Sequence, residues 1–153
     1  MPPVAVALGS NLGDRQAHLD AAVARLRSFL SDLRVSRVHD TEPVGMVGPQ
    51  PRFLNAAATG VFVGTAGDLL AVLLGLERER GRERQHPGGS RTLDLDLIFF
   101  GDERVETPDL VVPHPRFRER RFVLEPLAEV APDWRDPVSG LTVRDLLARL
   151  VQR

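Results

Sequence analysis

The sequence predicts an α+β fold in which helices cover one antiparallel sheet. Segments with the two-residue period of strands alternate with segments of helical period, in the order strand, helix, strand, strand, helix, strand. This is the order of a ferredoxin-like βαββαβ sandwich, and two later helical segments predict additional C-terminal helices. The chain has 153 residues, of which 42% are hydrophobic, so we expect a single domain over residues 1–153.

The first half of the chain begins with a short apolar run, Val4–Leu8, which predicts a buried strand. The glycine-containing segment Gly9–Asp14 predicts a turn after it. Leucine and valine then recur at i, i+4, i+7 and i+11, which predicts a helix from about Asp14 to Leu30. The segment Leu33–His39 is a weaker strand prediction.

The rest of the chain carries the patterns of one long strand, one strand with alternating faces and three helices. Phe53–Val63 is the long strand, and Thr65 opens a helix that runs to about Arg80. Leu93–Phe100 alternates leucine with aspartate at its start, which is typical of a strand with one apolar face. The last two helices are predicted over Arg120–Val130 and Thr142–Val151.

Composition excludes several classes of site. There is no cysteine, so disulfides, thiolate metal sites and cysteine nucleophiles are excluded. All 20 basic residues are arginine, so the lysine of a phosphate-binding P-loop is missing and Gly9 and Gly13 are interpreted as turn formers. The net charge of −1 gives no general attraction to nucleic acid or membrane, and no apolar segment has the length of a membrane span. We expect a cytoplasmic protein.

The strongest chemical signal is the pair Asp94 and Asp96 in Arg91-Thr92-Leu93-Asp94-Leu95-Asp96-Leu97. Residues two apart on a strand share a face, so both carboxylates project together. Adjacent anions repel unless a cation compensates, and oxygen ligands of this kind suit Mg²⁺ with bound phosphates. A solvated strand face is the alternative, since strands often alternate polar and apolar residues.

Arginines and a histidine surround this pair in the sequence. They are Arg78, Arg80, Arg82, Arg84 and Arg91 before it, and His114, Arg116, Arg118, Arg120 and Arg121 after it. Guanidinium groups bind phosphate oxygens in a fixed fork, so the combination favours a metal-bound triphosphate. Several of these arginines could instead pair with glutamates along a helix.

Six sequence blocks together resemble the 6-hydroxymethyl-7,8-dihydropterin pyrophosphokinase family. The blocks are ALGSNLGD (7–14), TEPVG (41–45), FLNAA (53–57), LERERGR (76–82), RTLDLDL (91–97) and VPHPR (112–116). They occur in order over nearly the whole chain. The resemblance implies a ferredoxin-like fold and the transfer of pyrophosphate from ATP to the pterin alcohol in folate biosynthesis, with AMP as the other product.

The resemblance also implies a role for each matched residue. Asp94 and Asp96 are expected to hold two Mg²⁺ ions, and Arg82 and Arg91 to contact the transferred phosphates. ATP is expected to contact Glu77, Arg82, Arg84, Arg91, His114 and Arg120. The pterin is expected to contact Thr41, Pro43, Val44, Phe53, Asn55 and Phe122, with its ring between the two phenylalanines. The glycine- and proline-containing segments 45–52 and 81–90 are expected to close over ATP.

Three other classes of function are weighed against this one. An RNA-recognition module shares the strand order but needs aromatic residues where Asp94 and Asp96 stand. A metal-dependent nuclease or nucleotidyl enzyme could use the same aspartates, and a regulatory domain could bind a metabolite without chemistry. We expect the small molecules ATP and pterin as partners, no nucleic acid or membrane, and a monomer.

Overall fold

A computed structural model describes residues 2–42, 52–81 and 92–151 of the chain. These residues form seven strands, four α-helices and one short 3₁₀ helix. In chain order they are β1 (Pro3–Ser10), α1 (Arg15–Leu26), β2 (Leu30–Val35), β3 (His39–Thr41), β4 (Phe53–Phe62), α2 (Ala66–Glu79), β5 (Asp94–Phe100), β6 (Val105–Glu106), β7 (Val111–Val112), the 3₁₀ helix (Phe117–Glu119), α3 (Arg121–Val130) and α4 (Val143–Val151).

The main sheet is antiparallel and has the order β2-β4-β1-β5. The short strand β3 also pairs with β4, so that β2 and β3 follow one another along the same edge of that strand. β6 and β7 form a separate two-stranded hairpin. The ferredoxin-like α+β prediction is confirmed.

Each face of the sheet is covered by its own apolar cluster. Alternate residues of β1, with Val4 and Val6 among them, pack against α1 and α2, and the intervening Ala5 and Ala7 pack against α3 and α4. The second cluster contains Phe99, whose ring lies edge-on to Phe117 at 5.1 Å and stacked on Trp134 at 5.2 Å. These ring contacts fix the segment after β7 and the C-terminal part on the α3 face of the sheet.

The helix prediction over residues 14–30 is correct for its start and wrong for its end. Asp14 caps α1 by accepting a hydrogen bond from the Ala17 N–H, but the helix ends at Leu26 and Leu30 opens β2. Leu26 and Leu30 are both buried in the cluster between the sheet and helices α1 and α2. The apolar spacing is therefore real, but it continues across a turn rather than along one helix. By contrast, α2 begins as predicted, with Thr65 and Asp68 in a complete capping box.

The single strand predicted over Leu33–His39 is wrong, because residues 36–38 separate β2 from β3. The Ser36 N–H donates to the Ala57 carbonyl, and its Oγ accepts from the Ala57 N–H while donating to the Arg37 carbonyl. The Ser36 hydroxyl thus completes the pairing with β4 between the end of β2 and the start of β3. The prediction that a turn begins at Gly9 is also wrong, since β1 extends to Ser10.

Candidate active site

Three strands bring the predicted residues onto one face of the sheet, the face that α3 covers. Gly9 on β1 is the register partner of Asn55 on β4 and also of Asp94 on β5. In the next row, Ala7 lies between Ala57 and Asp96. Paired residues of an antiparallel sheet point to the same face, so two rows run across the sheet with small residues at their centre.

Gly9 lets side chains of β4 lie close over the backbone of β1. A Cβ atom at this position would lie 3.1 Å from Asn55 Oδ1 and 3.7 Å from the Phe53 ring. Neighbouring strands are about 4.8 Å apart, so the backbones of Asn55 and Asp94 are separated by roughly 10 Å across the glycine. We call the strip of sheet surface between them the cleft, with a carboxylate wall on β5 and an aromatic wall on β4.

The carboxylate wall consists of Asp94 and Asp96, both half-buried. The leucines next to them, Leu95 and Leu97, are buried in the opposite cluster. This alternation places both carboxylates on the cleft side, as predicted. The donor set suits magnesium, which commonly takes one or two protein carboxylates and completes its shell with phosphates and water.

Glu77 is buried behind the carboxylate wall and stabilises the backbone of β5. Its side chain is buried at the end of α2, and its Oε2 accepts a hydrogen bond of 2.8 Å from the Leu95 N–H. That N–H lies between the two aspartates on the outer edge of β5. The contact fixes the backbone from which both aspartates project.

His114 and Arg120 lie beside the carboxylate wall. The His114 N–H donates to the Ile98 carbonyl, which attaches the segment after β7 to β5. Burial, together with the positive charges of Arg120 and Arg116, lowers the pKa of His114 to about 4, although Asp94 opposes the shift. The Arg116 N–H donates to His114 Nδ1, so the neutral ring carries its proton on Nε2 and can donate from that atom.

A partly buried ion pair anchors the segment that carries His114 and Arg120. Arg118 donates from Nε and Nη2 to the fully buried carboxylate of Asp136, at 2.5 and 2.8 Å. The carboxylate also accepts from Ser139 Oγ and the Val138 N–H. Burial opposes ionisation, but these hydrogen bonds prevail and lower the pKa of Asp136 to about 2. The segment is therefore fixed to the C-terminal part of the chain through Asp136.

The aromatic wall is formed by β4, β3 and the start of α3. Phe53 and Asn55 are successive cleft-facing residues of β4, and Asn55 Nδ2 donates to Thr41 Oγ1 on β3 at 2.5 Å. Phe122 is partly buried against the second cluster at the start of α3. The Arg120 guanidinium lies 5.6 Å from the centre of the Phe122 ring, so this cation is close to the aromatic wall as well.

Five of the predicted site residues lie outside the described part of the chain. They are Pro43, Val44, Arg82, Arg84 and Arg91, and the segments predicted to close over ATP lie mostly there too. The described residues bring together Thr41, Phe53, Asn55, Asp94, Asp96, His114, Arg120 and Phe122. Among the residues that the structure describes, no three histidine or acidic side chains lie close enough together to hold a metal ion. None of the helices in the same part of the chain has the length and apolar character of a membrane span.

Comparison with known proteins gives one consistent result. The sequence profile of the 7,8-dihydro-6-hydroxymethylpterin-pyrophosphokinase (HPPK) family matches residues 5–132. A 2-amino-4-hydroxy-6-hydroxymethyldihydropteridine pyrophosphokinase from Synechocystis is 41% identical over 95% of this chain and 74% of its own length. The protein of the same name from Bacillus subtilis is 44% identical over 82% of this chain and 75% of its own length.

Solved structures agree on the fold. A Plasmodium falciparum HPPK-DHPS triple mutant aligns with 99% of this chain at a TM-score of 0.80 and 14% identity. The match spans 44% of that longer chain. The fold and the sequence matches are those of a pyrophosphokinase. The chain belongs to the HPPK family, and the resemblance of the six sequence blocks is confirmed.

Two features of the site were missed by sequence reasoning. Gly9 was interpreted as a turn residue, although a glycine at the end of a strand can mark a place where other groups approach the backbone closely. His39 lay in a weak strand prediction and carried no motif. Its contacts reach residues 90 positions away, which no local pattern indicates.

Proposed function

We propose that this chain transfers the pyrophosphoryl group of ATP to 6-hydroxymethyl-7,8-dihydropterin in folate biosynthesis, and that the two walls of the cleft bind the two substrates. The hydroxymethyl oxygen of the pterin attacks the β-phosphorus of ATP, the bond to the α-phosphate oxygen breaks, and AMP leaves. The hydroxyl proton is released as the new bond between oxygen and phosphorus forms. Family membership supports this reaction, since the bacterial relatives are named for it.

The observation that carries the proposal is the row Asn55, Gly9, Asp94. It sets an amide and an aromatic ring on one side of a glycine and a carboxylate pair on the other. A planar heterocycle can stack on Phe53 and hydrogen-bond to Asn55, while a polyphosphate lies toward β5. The row therefore brings an alcohol on the heterocycle next to the phosphates.

Magnesium fits the carboxylate wall. Asp94 and Asp96 would hold it, and the resemblance implies two ions. When bound, the metal would neutralise phosphate charge and polarise the attacking oxygen. Glu77 would keep both aspartates in place through the Leu95 N–H.

Arg120 and His114 would act on the same phosphates. Arg120 carries a permanent positive charge, and neutral His114 can donate a hydrogen bond from Nε2 without adding charge. Arg82, Arg84 and Arg91 would complete the set from residues outside the described part of the chain. Phosphoryl transfer depends mainly on alignment and charge neutralisation, so this site needs no strong general base.

The pterin would contact Phe53, Asn55, Thr41 and Phe122, with Pro43 and Val44 reading the ring edge. We further propose one domain over residues 1–153 that acts as a monomer in the cytoplasm. The lack of cysteine is compatible with a reducing compartment.

The experiment is a product assay with ATP, magnesium chloride and 6-hydroxymethyl-7,8-dihydropterin. The proposal expects AMP and the pterin diphosphate in equal amounts, with no AMP when the pterin is left out. Formation of ADP, or of AMP at the same rate without the pterin, would contradict it.

A further inference from the structure

A group of charged side chains outside the cleft joins β3 to α3. His39 Nε2 is hydrogen-bonded to Glu129 Oε2, and His39 Nδ1 lies 3.9 Å from Glu125 Oε2. Glu129 also accepts from the Arg37 N–H at 2.9 Å and from Arg37 Nη2 at 3.3 Å. Glu125 pairs in turn with Arg121 on its own helix. We call His39, Glu125 and Glu129 the β3–α3 clamp.

The clamp is partly shielded from water. The side chains of His39, Glu129 and Glu125 are 19%, 25% and 30% exposed. Burial opposes ionisation of Glu129, but the hydrogen bonds from Arg37 and His39 prevail and lower its pKa. Hydrogen bonds to a carboxylate are stronger than those between neutral groups, so these contacts can hold two elements at a defined separation.

Both elements that the clamp joins belong to the aromatic wall. On β3, His39 is the register partner of Asn55, and Thr41, two residues on, accepts the Asn55 amide. On α3, Phe122 precedes Glu125 by three residues and Glu129 follows by four, which places all three on one side of the helix. The clamp therefore joins two elements that both carry residues of the aromatic wall, and we call the separation between Phe122 on α3 and Asn55 on β4 the slot.

β3 has only three residues, so its pairing with β4 supplies few hydrogen bonds to hold it. A side-chain link from His39 to α3 adds a constraint to those from Arg52 and Asn55. A stacked heterocycle needs the groups on either side of it at a fixed spacing. A shift of about 1 Å in one of these groups can lower activity by up to about a hundredfold.

We propose that His39 is a positioning residue for the pterin, which sets the width of the slot between Phe122 and Asn55 through Glu129 and Glu125. The inference rests on the proposed function. It assigns His39 no contact with either substrate. Its loss therefore weakens pterin binding and leaves nucleotide binding on the carboxylate wall unchanged.

The test compares His39→Phe, which keeps a flat ring without a donor, with His39→Gln, whose amide can replace the Nε2–H. Affinity for 6-hydroxymethylpterin is measured by fluorescence in the presence of magnesium and a nonhydrolysable ATP analogue, and affinity for the analogue is measured alone. Arg144→Gln, which removes an exposed pair with Asp133, is the control. We expect the Kd for the pterin to rise about tenfold in His39→Phe and to return to within about threefold of the parent in His39→Gln. The Kd for the analogue should stay within about twofold in both.

An unchanged pterin Kd in His39→Phe would overturn the inference, as would equal loss of pterin and nucleotide binding or a failure of His39→Gln to recover. If His39→Phe does not fold, folded Glu129→Gln makes the same test, and wild-type pterin affinity there would overturn it. The parent protein's AMP assay separates the two proposals. A parent that forms no AMP refutes the proposed function, whereas an active parent with an unaffected His39→Phe refutes only the positioning role.

Discussion

Asn55 and Asp94 are both register partners of Gly9, one on each side of β1. This relationship explains how a small sheet can present two different surfaces at one place. The side of Asn55 is aromatic and amide-bearing, and the side of Asp94 is anionic and lies near His114 and Arg120. The absence of a side chain at Gly9 lets the Asn55 amide and the Phe53 ring lie close over the backbone of β1.

Gly9→Ala should obstruct the aromatic wall without unfolding the protein. The new methyl group would lie 3.1 Å from Asn55 Oδ1, which is tighter than usual for Cβ contacts, so the amide must move. We expect pterin affinity to fall about tenfold and nucleotide affinity to change little, as measured by equilibrium binding. Gly67→Ala is the matched control, because its nearest neighbour would be Thr65 Oγ1 at 3.8 Å. Equal pterin affinity in the two variants would show that the absence of a side chain at Gly9 is not needed.

Asp94→Asn and Asp96→Asn should each lower the rate of AMP formation by at least about a hundredfold, because each removes a charged oxygen ligand. Thermal unfolding should show that both variants remain folded. Asp102→Asn, in the exposed turn after β5, is the control and should keep its activity. Near-normal turnover in either cleft variant would remove that carboxylate from the metal site.

The Arg118–Asp136 pair should make stability depend on acid pH. The pKa of Asp136 falls from 3.8 to about 2 on folding, so its contribution is fully present above pH 4 and is lost as the pH drops from about 4 to about 2. The size of this contribution is roughly 2 kcal/mol in the free energy of unfolding. Urea titrations at several pH values should show the loss for the parent and a flatter dependence for Asp136→Asn. Asp133→Asn breaks only an exposed pair and should follow the parent curve.

His114 should remain neutral through the physiological range. Its pKa in the folded protein is about 4, below the ordinary value of 6.5, so folding favours the neutral ring. The corresponding stability is present above pH 6.5 and is lost as the pH falls toward 4. NMR of the imidazole nitrogens should show the Nε2–H tautomer at pH 7 and a midpoint near 4. A midpoint near 6.5 would contradict the burial and charge effects described for this ring.

Local patterns in the sequence were sufficient for β5 and for the start of α2. The alternation of Leu95 and Leu97 with Asp94 and Asp96 predicted both the strand and its carboxylate face, and the structure confirms that strand. The Thr65 cap predicted the start of α2. The role of Asp94 and Asp96 as metal ligands stays a prediction.

Contacts between distant segments could not be predicted in this way. Ser36 breaks the predicted strand because its hydroxyl bonds to Ala57, and Glu77 reaches the Leu95 N–H across the fold. Both depend on tertiary packing, which neither hydrophobic period nor residue propensity encodes. The end of α1 was misplaced because Leu30 is buried equally well at the start of β2.

The most direct measurement is a crystal structure with a nonhydrolysable ATP analogue, 6-hydroxymethylpterin and Mn²⁺ in place of magnesium. We predict anomalous peaks at about 2.2 Å from carboxylate oxygens of Asp94 and Asp96, with the pterin against Phe53 and Asn55 on the other side of Gly9. Anomalous peaks away from both aspartates, or a pterin bound outside the cleft, would contradict the division of the site into two walls.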